Sequence, residues 1–325
     1  MLQVTVDPLV PNPSQSVVIL REIHGQRVLP VRLLYREDAL LNLLDPAQEH
    51  RFSANPDLIP LDFTRQLLLT LQESIEEVQI DALQPHLFYA TVRLRQGERL
   101  HEIKTKVGMA LFVAGSVHCP ILVSEALMKE QGTTVPSEEA TPDQQRAHLL
   151  TAGLPRHPYN LDFQAGTKGW TFREDPSQNF DWGIDTSMVY QGKPCFVLKT
   201  KEGASMGGGV LQQAFLADEY RGKRIRLSGF LKTENVESIE HVKGGTALWL
   251  QIEGVNETLR QANAKEHALR GTHGWVRREM EVEVPQTSIS VGLGFGLGGR
   301  GQVWLSDVQL EAVDEDRSAS LPQAT

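Results

Sequence analysis

The sequence predicts an α+β domain followed by an all-β sandwich domain, and three observations lead to that prediction. The chain has 325 residues, which is enough for two domains with separate hydrophobic cores. Apolar residues between positions 17 and 131 follow both strand and helix periods. From Tyr159 to Val313 the pattern changes to short alternating runs separated by turn residues, which is typical of a β-sandwich.

The first domain, residues 1–131, is predicted to mix hairpins and helices. Two strands, VVILRE and RVLPVRLLY, are joined by a turn at His24 and Gly25. Helices are expected at Glu37–Leu44 and at Thr64–Ile75, with Thr64 as the N-cap of the second. The later elements are the strands VQIDAL, FYATVRLR, LHEIKT and CPILV and the helices Ala110–Val117 and Ser124–Gln131.

Residues 132–158 contain proline, acidic and small residues and are predicted to form a linker with one helical turn. The sandwich domain, residues 159–313, follows. Its strands are CFVLKT, RIRLSGFLKT, TALWLQIEG, REMEVEVP, SISVGLGFGL and QVWLSDVQLEAV. The polar residues 314–325 are expected to be a disordered tail.

The charge of the chain argues against a protein that binds nucleic acid by neutralising phosphates. The net charge is −9, with 11 Lys/Arg against 15 Asp/Glu in Met1–Met128 and 18 against 22 in Tyr159–Thr325. No apolar run reaches the roughly 18 residues of a membrane span, and the N-terminus lacks a signal-peptide pattern. Cys119 and Cys195 fall in different predicted domains and make no disulfide framework. We therefore expect a cytoplasmic protein without a membrane partner, and homo-oligomerisation stays open.

Two segments carry a resemblance to a known family. They are VVILREIHGQRVLPV at residues 17–31 and EIKTKVGMALFVAGSVHCPILV at residues 102–123. Both resemble signature stretches of the bifunctional nuclease (DNase/RNase) family, and the likeness extends over roughly Val17–Gln131. The family typically has an Arg-Pro-Ser-Asp-like run where this chain has Lys106, Val107, Gly108 and Met109. The resemblance implies the family's α+β fold with an eroded polar motif.

Nuclease chemistry of this kind implies divalent metal ions held by carboxylates. Lys104 and Met109 stand where the family has acidic residues, so ligands are missing. The remaining candidates for a relocated catalytic site, with Mg²⁺ or Mn²⁺ as cofactor, are Asp62, His101 and Glu102. Residues of these types are more often solvated surface groups, and we favour that interpretation.

The second domain carries its own resemblance. The segments YRGKRIRLSGFLKT, GTALWLQIEG and GGRGQVWLSDVQLEAV, which begin at Tyr220, Gly245 and Gly298, look like the galactose-binding-like jelly roll related to carbohydrate-binding modules. The resemblance implies a binding module without a catalytic centre. The ligand that it implies is a carbohydrate or a protein.

Strand alternation picks out candidate ligand-binding residues in this domain. Trp249 and Trp304 lie opposite the aliphatic residues of their strands, and Gly292, Gly294, Gly296 and Gly298 form a row without side chains. Exposed tryptophans can stack on sugar rings or anchor a partner, and a glycine row permits close approach. Trp182 and Tyr190 could contribute from a nearby turn. The alternative is that these aromatic residues are covered.

Carbohydrate-binding relatives often hold a structural Ca²⁺ between an acidic residue near the start of the domain and an aspartate of the last strand. The resemblance points to Asp162 and Asp307 as metal ligands here. Gln164 stands where a further acid is expected, and the loss of an anionic oxygen weakens such a site.

The sequence favours a binding, regulatory or scaffolding protein without efficient turnover. The alternative is a divergent metal-dependent nuclease in which the sandwich domain is a targeting module. Nucleic acid is a partner only under that alternative. A third hypothesis is a purely structural role, with the sandwich face buried. A cluster of carboxylates in the first domain would favour the nuclease.

Overall fold

The chain forms two compact units, Met1–Gly153 and Leu154–Thr325. The computed structural model describes residues 1–7, 9–10, 16–33, 37, 41, 59–70, 74–84, 87–134, 139–172, 179–204, 208–239, 243–263 and 268–313. No helix within these ranges is long and apolar enough to cross a membrane. The predicted tail, 314–325, lies outside the described residues.

The first unit is an eight-stranded, mostly antiparallel sheet with helices, in the order β6-β5-β4-β7-β1-β2-β3-β8. This confirms the predicted α+β class. Its elements are β1 (Leu2–Val6), β2 (Val17–Glu22), β3 (Arg27–Arg32), α1 (Ile59–Thr70), β4 (Ile75–Gln84), β5 (Leu87–Gln96), β6 (Arg99–Lys106), α2 (Val107–Val117), β7 (Ile121–Val123), α3 (Glu125–Gln131), β8 (Thr133–Thr134) and α4 (Pro142–Thr151).

The core of the first unit forms around α2. Val18, Leu20 and Val78 of the sheet are buried with Ala110 and Leu111 of the helix. Because α2 is apolar on nearly every side, burial against the sheet stabilises it more than its own helix propensity does. The helix begins at Val107, directly after β6 and three residues before its predicted start.

The structure corrects the position of the preceding helix. Helix α1 spans Ile59–Thr70 instead of the predicted Thr64–Ile75, so Thr64 lies inside the helix and is not its N-cap. Pro60 suits a first turn because its φ is already helical. Ile75 is 6% exposed and pairs with Leu94 of β5. It is therefore the first residue of strand β4, with its apolar side chain buried, and is not part of the helix. Of the predicted helix Glu37–Leu44, the structure describes only residues 37 and 41, both helical.

The segment predicted as a linker contains a three-turn helix, α4, that belongs to the first unit. Thr141 and Gln144 form a capping box, in which the backbone N–H of Gln144 donates to Thr141 Oγ1 at 3.3 Å. At the other end of the helix, Arg32 donates to the carbonyls of Leu150 at 2.7 Å and Ala152 at 3.1 Å. Burial lowers the pKa of Arg32 to about 10. A partly buried cation therefore anchors this helix to the sheet.

Strand β6 is the outermost strand of the sheet. Its first six residues are all exposed, in contrast to the buried strands β2 and β3. Leu100 and Ile103 keep 43% and 54% of their surface accessible. The strand pairs with β5 along its whole length, from Arg99 opposite Gln96 to Lys106 opposite Tyr89.

The second unit is a sandwich of two five-stranded antiparallel sheets, as predicted. We call the sheet β15-β14-β17-β12-β9 the glycine sheet and the sheet β10-β11-β18-β13-β16 the back sheet. The strands are β9 (Thr171–Phe172), β10 (Phe180–Tyr190), β11 (Lys193–Thr200), β12 (Gly208–Leu216), β13 (Arg224–Glu237), β14 (Gly245–Glu253), β15 (Thr258–Asn263), β16 (Gly271–Glu283), β17 (Ser290–Gly298) and β18 (Arg300–Val313).

The sandwich core forms between the inner faces of these two sheets. Leu248 and Leu250 of the glycine sheet and Phe196, Val303 and Leu305 of the back sheet are completely or almost completely buried in one cluster. Because side chains alternate along a strand, the residues between them point away from the core. That alternation places the tryptophans and the glycine row on outer faces.

Candidate ligand-binding groove

Two of the three nuclease candidates of the first unit, His101 and Glu102, lie side by side in one strand and face different ways. Glu102 and His101 are consecutive in β6, so their side chains point to opposite faces of the sheet. The Glu102 carboxylate is paired with Arg93, with 2.9 Å between Oε1 and Nη2. Asp62 lies in α1, and its side chain is outside the described residues. Among the described residues, no group of three His, Cys, Asp or Glu could hold a metal ion.

The space beside Gly108, where the family motif has a polar side chain, is filled. A methyl group at Gly108 would lie 2.7 Å from Cβ and Cδ of Glu37. A serine at this position would therefore have to displace Glu37. Gly108 is in the first turn of α2, where a nearby carboxylate interacts favourably with the helix dipole. This chain thus lacks the motif side chain at Gly108, and Glu37 fills the space that the side chain would take.

The two tryptophans predicted to share a binding face lie on different sheets. Trp249 is in β14 of the glycine sheet, and Trp304 is in β18 of the back sheet. Both point away from the core, so they occupy opposite outer faces of the sandwich. The prediction of one Trp249/Trp304 face is therefore wrong.

Trp304 has no free ring face. It is 4% exposed, its Nε1 donates to Asp185 Oδ2 at 2.8 Å, and Lys232 Nζ lies 4.7 Å from its ring centroid. The Ser187 hydroxyl and then Trp304 hold the pKa of Asp185 below its ordinary value. Trp304 is a buried, hydrogen-bonded part of the back sheet.

Trp249 lies across the glycine row of β17. It is opposite Gly294 in the strand register. A Cβ built on Gly292 would be 3.3 Å from Trp249 Cζ3, and one on Gly294 would be 2.9 Å from Cε2 and Cζ2. The group that approaches the glycine row closely is thus the indole of Trp249 itself. It occupies the space that side chains at Gly292 and Gly294 would fill. Its buried Nε1 has no hydrogen-bond partner among the described residues.

Beyond Trp249 the outer face of the sheet is nearly free of side chains. Gly208 of β12 and Gly245 of β14 are both opposite Gly298 of β17, so three strands carry glycine at one level. At the next level, Gly296 lies between Val210 and Ala247. The result is a cavity of about 450 Å³, within the range typical of small-molecule sites. We call it the glycine groove. Trp249 forms one wall.

Polar side chains surround this apolar floor. Gln251 and Gln261 line the groove beside Trp249, and Lys243 and Arg270 line it near Gly244. Gln251 is held in place because its Nε2 donates to Glu253 Oε1 at 2.5 Å and to Thr258 Oγ1 at 3.0 Å. The site thus combines a flat aromatic wall, a floor of backbone and fixed hydrogen-bonding groups.

Trp182 and Tyr190 do not belong to this groove. Trp182 is 37% exposed and lies against Phe172, with 4.8 Å between the ring centroids. Tyr190 packs on Phe230 at 4.3 Å and on Trp275 at 4.9 Å. Neither is among the described residues that line the groove.

Asp307, one of the two calcium candidates, already has a cationic partner. Lys193 Nζ lies 2.5 Å from Asp307 Oδ1, and Gln309 Nε2 donates to the same oxygen at 3.0 Å. Burial acts to raise the pKa of Asp307, but these two bonds outweigh it and leave the pKa below its ordinary value. Asp162 Oδ1 instead accepts the backbone N–H of Gln164 at 3.2 Å. The ammonium of Lys193 therefore supplies the positive charge that a metal would bring to Asp307.

Sequence reasoning missed most of the groove. It found Trp249 and the glycine row, but not Lys243, Gln251, Gln261 and Arg270. A usable signal is present in the glycine runs at 207–209, 244–245 and 298–299, because the strand register brings Gly208, Gly245 and Gly298 to one end of the sheet.

Comparison with known proteins gives a family match for most of the first unit. Residues 18–136 match the bifunctional nuclease domain. Uncharacterized protein Rv1829 of Mycobacterium tuberculosis is 30% identical over 125 residues, which are 38% of this chain and 71% of that protein. The uncharacterized HTH-type transcriptional regulator YbfP of Bacillus subtilis is 34% identical over 150 residues, which are 46% of this chain. The chain spans about half the length of that regulator, 49%.

Two solved structures of carbohydrate-binding modules are similar to part of the chain. A module of family CBM4 has 13% identity and a TM-score of 0.34, covering 48% of this chain and 100% of the module. The C-terminal family 22 module of Clostridium thermocellum Xyn10B has 11% identity and a TM-score of 0.33, covering 46% of this chain and 89% of the module. Similarity at this level identifies no ligand.

The fold and the groove define a two-unit protein in which an α+β unit of nuclease type is joined to a β-sandwich with a small-molecule-sized cavity. The relative that is 30% identical is covered over 71% of its length, and the bifunctional nuclease domain matches residues 18–136 of this chain. The chain belongs to the bifunctional nuclease domain family.

Proposed function

We propose that this chain is a binding protein whose sandwich unit holds a saccharide in the glycine groove, and that its nuclease-family unit has no efficient turnover. The observation that carries the proposal is the position of Trp249 across the glycine row, where its indole also lines the groove. An aromatic ring that is fixed from behind offers an apolar surface to the C–H face of a sugar.

The other lining groups fit the remaining surface of a sugar. Hydroxyls need donors and acceptors at fixed positions, and the side-chain amide of Gln261, which lines the groove with Trp249, can provide both. The glycine floor lets a ring approach the backbone of β17 and β12 closely. A regulatory use of such binding is supported by the similarity to a protein that is named a transcriptional regulator.

The first unit supports binding or scaffolding more than hydrolysis. Glu102 is neutralised by Arg93, and its neighbour His101 faces the other way. Space at the eroded motif is filled by Glu37 beside Gly108. Metal-assisted phosphodiester cleavage needs converging carboxylates, which these residues do not provide.

Saccharide binding is tested on the full chain with isothermal titration calorimetry against neutral and uronic-acid oligosaccharides. The variants are Trp249→Ala, which removes the aromatic wall, and Gly208→Val, which places a side chain in the groove. No described atom lies within 4 Å of a Cβ at Gly208, so Gly208→Val should leave the fold intact. Gly274→Val is the matched control, because Gly274 is equally uncrowded but lies on β16 of the back sheet.

We expect at least one saccharide to bind, and to bind more weakly by about tenfold or more in both groove variants, the loss expected for a central aromatic contact. Gly274→Val should bind like the unmodified chain. If every saccharide fails to bind, or if binding is unchanged in both groove variants, the proposal is wrong.

Turnover is tested separately on single-stranded DNA, duplex DNA and RNA with Mg²⁺ or Mn²⁺ and an EDTA control. We expect no cleavage above background. Metal-dependent cleavage that disappears in the double variant Asp62→Ala/Glu102→Ala would refute this part of the proposal and support the nuclease alternative.

A further inference from the structure

We infer that the glycine groove selects a saccharide that carries a carboxylate, a uronic-acid sugar, over the neutral sugar of the same shape. The inference rests on the proposed saccharide-binding function and adds the chemical class of the ligand. It starts from the charges around the cavity.

The charged side chains among the described residues that line the groove are those of Lys243 and Arg270. Both residues are exposed at the end of the groove where the three strands carry glycine. The chain as a whole has a net charge of −9, whereas the charged side chains in the described lining of the groove are both positive. A cavity with apolar walls concentrates the field of such charges toward its interior.

Arg270 is held in position by the strand beside the groove. Its Nε donates to the carbonyl of Gly244 at 2.9 Å, and the adjacent Leu269 pairs with Thr246 of β14 through two backbone hydrogen bonds. A guanidinium fixed in this way loses little conformational freedom when it binds a carboxylate through its terminal nitrogens. Lys243 adds a second, more flexible positive charge.

The acidic residue nearest along β14, Glu253, is not among the described residues that line the groove. Glu253 is 4% exposed, and its two oxygens accept from Gln251 Nε2 at 2.5 Å and from Thr258 Oγ1 at 3.1 Å. Gln251 stands between this carboxylate and Trp249 along the strand. The described lining of the groove therefore includes Gln251 and does not include this acid.

The distance along the sheet suits a ligand with two different ends. Trp249 and Gly245 are four residues apart in β14, which is about 13 Å of strand at roughly 3.3 Å per residue. One sugar ring can therefore lie on Trp249 while a carboxylate farther along the ligand reaches Arg270 and Lys243. An oligosaccharide with uronic-acid residues has this arrangement.

The test compares trigalacturonic acid, its methyl ester and the neutral galactose trisaccharide on the full chain by isothermal titration calorimetry. The methyl ester keeps the sugar ring and removes the charge. We expect the free acid to bind at least about tenfold tighter than both neutral ligands at low salt, which is the size expected for a bidentate charge-assisted contact. The advantage should shrink when NaCl is raised to about 0.5 M.

Two variants assign the preference to the groove. Lys243→Gln and Arg270→Gln should each bring the affinity for the acid close to that for the ester, while Lys223→Gln, an exposed lysine outside the lining set, should change nothing. Thermal unfolding of each variant checks that the sandwich is intact.

If a neutral saccharide binds in the groove as tightly as its acid, or if Lys223→Gln reduces the preference as much as Lys243→Gln, the inference is wrong and the proposed function stands. If no saccharide of either kind binds, the proposed function and this inference both fail.

Discussion

Two glycines of the glycine sheet should respond to the same substitution with opposite signs. The perturbation is Gly→Ala at Gly208 and, separately, at Gly294. Both residues lie on the outer face of the sheet, in the neighbouring strands β12 and β17. Sequence alone gives no reason to treat them differently. The surroundings of the added methyl group differ completely.

The magnitudes follow from those surroundings. At Gly208 the part of the chain that the structure describes has no atom within 4 Å of the new Cβ, so Gly208→Ala should stabilise the unit by about 0.4–1 kcal/mol by restricting the unfolded chain. At Gly294 the new Cβ would be 2.9 Å from two atoms of Trp249 and closer still to the carbonyl oxygen of Leu211. That backbone oxygen cannot rotate away, so overpacking should cost about 1–3 kcal/mol.

Urea unfolding of the full chain, followed by the fluorescence of the tryptophans, measures both effects as changes in the free energy of unfolding. Gly274→Ala is a second uncrowded control and should behave like Gly208→Ala. If Gly294→Ala changes the free energy of unfolding by less than about 0.5 kcal/mol, the usual range for surface substitutions, this prediction is wrong. An equal loss at Gly208 would refute it as well.

Three further substitutions test contacts elsewhere. Trp304→Phe removes the donor to Asp185 and should cost about 1 kcal/mol at pH 7. Because the pKa of Asp185 is depressed in the folded state, the stabilisation by its carboxylate is complete above the unfolded pKa near 4 and is lost as the pH falls through the folded value. In urea unfolding, the difference in the free energy of unfolding between the unmodified chain and Trp304→Phe should therefore shrink toward pH 3. Arg32→Met removes two hydrogen bonds from the end of α4 and should destabilise the first unit by about 1–3 kcal/mol, with faster amide exchange in that helix; unchanged exchange would show that the anchor is elsewhere. Thr141→Ala removes the N-cap of the same helix and should cost about 1 kcal/mol in thermal unfolding, whereas Thr141→Ser should be nearly neutral.

Much of the fold could be predicted because its strands alternate clearly. In β14 the alternation puts Leu248 and Leu250 inside and Trp249 outside, as the structure has them. Helix α4 was underestimated although its signals are in the sequence. Thr141 and Gln144 have capping-box spacing around a proline at the first helical position.

The groove could be predicted only in part. The alternation of residues tells which side of a strand a side chain faces, but it does not tell to which of the two sheets the strand belongs. Trp249 and Trp304 have the same local pattern, yet β14 pairs with β17 while β18 pairs with β11 and β13. Long-range pairing of this kind cannot be read from either strand alone. The same pairing brings Arg270 and Lys243 to the glycine end of the groove, so their role also depends on the register.

The open position of β6 has a consequence for the protein in concentrated solution. A strand at the end of a sheet is a template for a strand of another molecule, and Leu100 and Ile103 give this edge apolar surface. Arg99, Glu102 and Lys104 place charges of both signs along the same edge, where they act as gatekeepers against stacking of copies. Added salt screens these charges, so self-association through this edge should depend on ionic strength.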